Sequence, residues 1–351
     1  PALRLFLMPH SGKAKPGSAL MRWQSCDATA LTNTSFSAAA YYFGRELEHE
    51  LGVPVGLVQS SYGGTRIEAW MPPTAFASDP ALRGLETTTY PGSKGVQPTR
   101  LYQAMIAPFV PFTVRGFLWY QGESNCLNAE SSLYTAKMRA LIASWRAAWG
   151  EPDAPFFYVL IAPFAYSEWT ETEPRLSPVA LPAFWEAQVR ALAVPHTGIV
   201  ATTDLGDDPR NLHPTNKRDV GRRLARLALA DTYGLHDIAA HSPQFAGMIR
   251  HWWSRKIELT FAHAAGLHSR DGVPLTDFTL AGSDRVFHPA TAIIKDGRIV
   301  VSSPLVPKPV AVRFAWQELA NPNLVNAANL PALPFRTDDW PLVLEAPKEK
   351  Q

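Results

Sequence analysis

The sequence predicts an α/β protein in two parts: a parallel sheet covered by helices on both faces over residues 1–235, then a β-sandwich over 236–340 and a tail at 341–351. Three observations carry this. Up to Tyr233, apolar runs of strand length alternate with helical patterns, as in βαβ units. Beyond Gly234 the period becomes two: Ile257, Leu259 and Phe261, and later Val310, Val312 and Phe314, alternate with polar residues, with turn signals at Arg270-Asp271-Gly272 and Lys295-Asp296-Gly297. Polar clusters also follow three of the apolar runs, where an open parallel sheet places its ligands beyond the carboxyl ends of the strands.

The elements follow in order. A strand near Arg4–Met8 precedes a helix over Ser37–Glu50 that stops at Gly52, a residue suited to a left-handed cap. The strand Val53–Val58 comes next, then a stretch rich in Pro and Gly near 71–98 and the strand Val114–Trp119. In the helix Leu133–Trp149, Tyr134, Met138, Leu141 and Trp145 recur at helical spacing, and Gly150 ends it. Phe156–Ile161 reads as a buried strand, Phe184–Leu192 as a helix, Thr197–Thr203 as a strand, and Asn216–Tyr233 as a helix with Val220, Leu224 and Leu227 inward. The end of the tail, Glu345–Gln351, is expected to be disordered.

Composition excludes several classes. With 33 basic and 31 acidic residues and no basic stripe, the chain is not built for nucleic acid. No apolar run reaches the roughly 18–20 residues that span a bilayer. Cys26 and Cys126 are the only cysteines, too few for a disulfide scaffold and without zinc-site spacing, although one bridge between them is open to the sequence. The chain opens at Pro1 with neither an initiator Met nor a secretory leader, so an earlier start, with room for a signal peptide, is expected.

The polar clusters carry the chemistry. Gln59-Ser60-Ser61-Tyr62-Gly63-Gly64-Thr65 follows the second strand. Gly63 and Gly64 suit a tight turn whose backbone N–H groups point at a developing oxyanion, and equally an ordinary β-to-α turn. Trp119-Tyr120-Gln121-Gly122-Glu123-Ser124-Asn125 follows the third strand. There Gln121 offers its amide to the same oxyanion, with a satisfied buried amide as the bland alternative, and Glu123 is placed to orient a loop or bind a substrate hydroxyl. Gly122-Glu123-Ser124 imitates half of a nucleophile elbow, but Cys126 stands where the last glycine belongs, so Ser124 is a decoy. The third cluster, Asp204–Pro214, holds His213 as a candidate general base, with Asp204, Asp207 or Asp208 to fix its tautomer. The position three before His213 is Arg210, which breaks the usual Asp-x-x-His spacing and leaves the acid open. One histidine with scattered aspartates fits no metal-ligand spacing.

Together, Ser60–Trp70, Trp119–Asn125 and Asp204-Leu205-Gly206-Asp207 ahead of Leu212-His213-Pro214 resemble the sialate O-acetylesterases, members of the SGNH hydrolases. Gly266-Leu267, Phe278–Gly282 and Pro334–Trp340 extend the resemblance into the β-rich part. It implies a three-layer α/β/α domain that cleaves acetyl esters from sialic acids through a serine acyl-enzyme, without a cofactor. His213 is then the base, an aspartate of its loop the orienting acid, and Gly63 or Gly64 with Gln121 the oxyanion hole. Arg66 is a candidate partner for the sugar carboxylate and Trp70 for stacking on the sugar. The family's nucleophile lies in a Gly-Gln-Ser-Asn segment at the end of the first strand, and this sequence contains no such tetrapeptide. The expectation is a companion polypeptide that carries the serine, with a truncated or inactive chain as the alternative. An acetyl esterase acting on xylan or another polysaccharide, and a non-catalytic glycan-binding protein, are the competing functions. The resemblance alone points to a periplasmic or secreted protein.

Overall fold

A computed structural model of the chain describes residues 2–9, 21–89, 95–169, 175–251 and 253–346; Pro1, at which the earlier start was argued, and 347–351 of the expected tail lie outside them. The first part runs β1 (Leu3–Leu7), β2 (Gln24–Ser25), α1 (Ala28–Thr34), α2 (Ala38–Leu51), β3 (Val55–Gln59), α3 (Pro73–Ala77) and β4 (Phe117–Trp119). It continues through α4 (Glu123–Cys126), α5 (Ser131–Trp149), β5 (Phe156–Val159), α6 (Ala180–Arg190), β6 (Thr197–Val200) and α7 (Lys217–Leu227). The helix limits follow local chemistry. Ser37 caps α2 by accepting from Ala40 N, and Gly52 and Gly150 end α2 and α5 in the left-handed region at φ +64° and +68°.

The parallel sheet lies in two halves. In one, β3 pairs with β1 in parallel, Leu5 opposite Leu57, and β2 adds an antiparallel edge. In the other, β4, β5 and β6 are parallel, with Trp119 opposite Tyr158 and Tyr158 opposite Ile199. Among the described residues no strand pairs β3 with β4.

Helices hold the halves side by side. Alternation along β5 sends Phe157 and Val159 to one face, where Leu5, Phe43, Leu57 and Leu224 complete a core under α2 and α7. Phe156 and Tyr158 face the opposite core with Tyr134, Leu141 and Phe184 from α5 and α6. The two helices of the first layer meet closely at Gly221, where a Cβ would come within 2.5 Å of Ala39 O. Burial on both faces is the condition a parallel sheet needs.

The second part contains β7 (Gln244–His251), β8 (Lys256–Ala262), β9 (His268–Ser269), β10 (Phe278–Ala281), β11 (Phe287–Pro289) and β12 (Thr291–Lys295). It ends with β13 (Arg298–Ser302), β14 (Ala311–Phe314), β15 (Leu324–Val325) and β16 (Phe335–Arg336). Two four-stranded antiparallel sheets, in the orders β12-β13-β8-β7 and β11-β10-β14-β16, make the sandwich. Ile257, Leu259, Val312 and Phe314 are sealed between them, as the alternation requires. The Lys295-Asp296-Gly297 signal is the β12–β13 hairpin, with Asp296 and Gly297 at φ +50° and +73°.

Two expectations are corrected or closed here. Of the expected disordered end, Glu345 and Ala346 are held: Glu345 pairs with Leu176, and Ala346 N donates to Arg175 O at 2.8 Å, next to the bond from Ser177 N to Leu344 O. Cys26 and Cys126 are both free thiols. Among the described residues, no helix is long and apolar enough to cross a membrane.

Candidate active site

The three polar clusters leave β3, β4 and β6 at the same edge, and hydrogen bonds join them. Gln121 Nε2 donates to Thr65 O at 3.1 Å, and the Asn125 Oδ1 accepts from Ile67 N at 3.0 Å, which ties the loop after β4 to the loop after β3. On the other side Lys217, the first residue of α7, donates to the Tyr120 hydroxyl at 3.3 Å and lies 5.0 Å from the centre of its ring. Glu123 at the start of α4 feels the charges of His213 and Lys217.

Gly63 and Gly64 form an exposed turn, Gly64 at φ +74°, and neither N–H is bonded within the described chain. The turn therefore presents two free donors at the sheet edge, as an anion site needs. Gly122 is dictated by packing: a Cβ there would meet Phe184 at 2.7 Å and Ile161 at 2.8 Å. At that close approach the chain turns from β4 into α4, which starts at Glu123.

Several candidates prove to be committed elsewhere. The Gln121 amide also donates to Asn125 Oδ1 at 2.8 Å, and its Oε1 accepts from the Tyr134 hydroxyl at 2.9 Å. Both amide protons are thus used, so Gln121 is a strut between loops and not a spare oxyanion donor. Arg66 is buried and pairs with Glu130 and, at 3.4 Å, with Glu68, which removes it from contact with a sugar carboxylate. Trp70 is buried against Trp119, and its Nε1 donates to Thr65 Oγ1 at 3.1 Å, so it fills core and does not stack on substrate.

The histidine loop is also reassigned in part. Asp204 accepts both guanidinium nitrogens of Arg223, at 2.7 and 2.6 Å, an anchor of the loop to α7. Asp207 accepts from Thr215 N and Oγ1 at 2.9 and 2.5 Å, bonds that hold its carboxyl below the usual range. Asp208 accepts from Arg210 N at 2.8 Å in a local turn. None of the three hydrogen-bonds the exposed His213 imidazole. The carboxylate in electrostatic contact with His213 is Glu123, whose pKa burial pushes up while His213 and Lys217 act to lower it.

Beneath the site lies a charge network that the motifs alone did not reveal. Asn125 makes four side-chain bonds, including Nδ2 to Glu68 at 3.0 Å and to Glu130 at 2.7 Å. Lys137 reaches the same carboxylates at 2.5 and 2.9 Å. The available signal was Lys137 itself, a charge on the apolar face of α5 between Tyr134 and Met138. Among the described residues no group of three His, Cys, Asp or Glu side chains is placed to hold a metal ion.

Comparison with known proteins supplies the family. The family of carbohydrate esterases described as sialic acid-specific acetylesterases matches residues 21–230. The sialate O-acetylesterase of Homo sapiens is 31% identical over 227 residues, covering 59% of this chain and 41% of that protein. For Mus musculus the values are 30% over 249 residues, 60% and 45%, so the chain spans less than half the length of these relatives. The crystal structure of a carbohydrate acetylesterase from Xanthomonas citri shares 36% identity and superposes with a TM-score of 0.82, over 97% of this chain and 74% of that one. With a family match over more than half its length and a shared architecture through both parts, the chain belongs to the sialic acid-specific acetylesterase family of carbohydrate esterases.

Proposed function

We propose that this chain is part of a serine esterase that removes acetyl groups from sialic acid or a related acetylated sugar, with the nucleophilic serine supplied by a segment outside this sequence. The observation that carries the reading is the interrupted sheet. β3 and β4 lie in neighbouring half-sheets with bonded loops at their carboxyl ends, yet neither uses its second edge. Two unpaired strand edges on either side of such a gap invite an added strand between them. A parallel strand entering there ends between the Gly63-Gly64 turn and His213, where a serine is needed.

In this assembly the serine Oγ attacks the acetyl carbonyl while His213 takes its proton, and the N–H groups of Gly63 and Gly64 stabilise the oxyanion. Collapse expels the sugar hydroxyl, which recovers the proton from His213. Water then repeats the sequence on the acyl-enzyme and releases acetate. The Glu123 charge stabilises the imidazolium in both halves. The test is acetate release from O-acetylated sialic acid by the protein with its serine segment present. His213→Ala should lower kcat by about 10³-fold or more; near-native turnover by that variant would remove His213 as the base. Because the Xanthomonas citri relative is described only as a carbohydrate acetylesterase, acetylated xylan belongs in the same assay. A higher kcat/KM on xylan would move the substrate to plant polysaccharide.

A further inference from the structure

We infer that Glu318, carried by the β-sandwich, is a positioning residue for the active-site wall 164–169, which makes the sandwich a structural part of the active centre. The inference rests on the esterase reading of that site. Glu318 lies in the loop after β14 and is only 7% exposed. Its carboxylate accepts from Ser167 Oγ and, at 2.9 Å, from Ser167 N, while its backbone O accepts from Phe164 N at 3.2 Å. Three bonds thus converge on one short segment.

That segment borders the chemistry on both sides. Ala165 N donates to Pro209 O at 2.9 Å, in the loop that carries His213. Tyr166, beside Ser167, is fully buried with a hydroxyl that has no hydrogen-bond partner among the described residues and lies within electrostatic reach of Glu123, Tyr120 and Cys126. Displacement of Ser167 therefore moves the surroundings of Glu123 and the backbone next to the histidine loop together.

The mount of Glu318 is stiff. Trp316, two residues earlier, has the guanidinium groups of Arg313 and Arg336 each 5.6 Å from its ring. Arg313 is held by both oxygens of Asp338, and Arg336 by both oxygens of Glu186 on α6, at 2.8–3.1 Å. The Arg313–Asp338 pair is bidentate, which fixes direction as well as distance, and the single Nε–H of Arg336 is shared between the two Glu186 oxygens. The far end of the same connection is tied too, since Ser177 bonds to Val343 O and Leu344 O. A carboxylate on this mount holds the wall at a set position, which substrate alignment requires.

The experiment compares Glu318→Ala, Glu318→Gln and Ser167→Ala with the wild-type protein, each with its serine segment present. In Glu318→Ala, amide exchange at Ala165 and Ser167 should rise about tenfold while Leu280 and Val312 in the sandwich stay protected. On acetylated sugar kcat should fall about 10- to 100-fold with KM changed less than about twofold, as expected for misplacement. Glu318→Gln, which keeps an acceptor for Ser167, should recover most of both losses, and Ser167→Ala should reproduce part of them. Native exchange at Ser167 in Glu318→Ala, or a kcat unchanged in all three variants, overturns the assignment. If the wild-type protein releases no acetate, the esterase reading fails, and exchange at Ser167 decides whether Glu318 positions the wall.

Discussion

Glu68 accepts a hydrogen bond from Lys137 at 2.5 Å with both side chains sealed from solvent. The carboxylate comes from the loop after β3 and the ammonium from α5, so one ion pair fixes the floor of the site to its main supporting helix. Glu130 and Arg66 complete two cations against two anions. Buried charges are tolerated in such a balanced set, and removal of one member strands the others. Lys137→Met is therefore expected to lower stability by about 3–5 kcal/mol, measured as a lower urea midpoint.

Acid should dissolve the same network. Burial acts to raise the pKa of Glu68, but Lys137 and Arg66 hold it below the ordinary carboxylate value. A carboxyl with a depressed folded pKa contributes stability that is present above the unfolded pKa, about 4.3, and lost as pH falls through the folded value. The urea midpoint of the wild-type protein should drop across that window. Glu68→Gln should be weaker at neutral pH and show a smaller drop.

Glu123 behaves in the opposite sense. Burial raises its folded pKa above the ordinary value, so its favourable protonated state persists in the fold below the unfolded pKa and is lost as pH rises through the folded one. Above the ordinary carboxylate range, therefore, the buried Glu123 side chain is a cost to folding. Glu123→Gln should raise Tm at pH 7, with the gain vanishing below the ordinary carboxylate range, and should lower kcat. Scanning calorimetry from pH 3 to 8 checks the first part and acetate release the second.

The crossing of α2 and α7 depends on Gly221. A methyl group there meets Ala39 O at 2.5 Å and Phe43 N at 2.8 Å, backbone atoms that cannot rotate away. Gly221→Ala should cost at least about 1–3 kcal/mol. Thermal unfolding of the variant should show that loss as a lower Tm.

Gln121 gives the sharpest separation of strut from oxyanion donor. Gln121→Leu leaves Thr65 O, Asn125 and the Tyr134 hydroxyl short of partners, at a cost of about 1–3 kcal/mol. Denaturant titration should show that loss. Gly64→Ala, by contrast, strains a left-handed position that supplies an unbonded N–H, and its larger effect should be on kcat.

The order of elements was legible because its causes are local. Ser37 and Gly52 bound α2, Gly150 ends α5, and the alternation through Ile257, Leu259 and Phe261 reports a sheet with one buried face. Strand ends were less legible. The apolar run Thr197–Thr203 pairs only as far as Val200, since Ala201–Thr203 is buried in the turn without a ladder partner. The clusters after β3, β4 and β6 were readable as a site edge because strand polarity puts every carboxyl end on one side.

What the sequence determined by itself, then, is where the edge lies and which residue types reach it. The tertiary structure decided which of them remain available. Arg66, Trp70 and Gln121 carry suitable chemistry, but Glu130, Trp119 and Tyr134 consume it from distant positions, and Asp204 belongs to Arg223. Glu318 joins the site from more than 100 residues beyond His213. Helix and strand periodicity is set by neighbours along the chain, whereas the satisfaction of a buried polar group depends on partners through space, and only the folded chain brings those partners together.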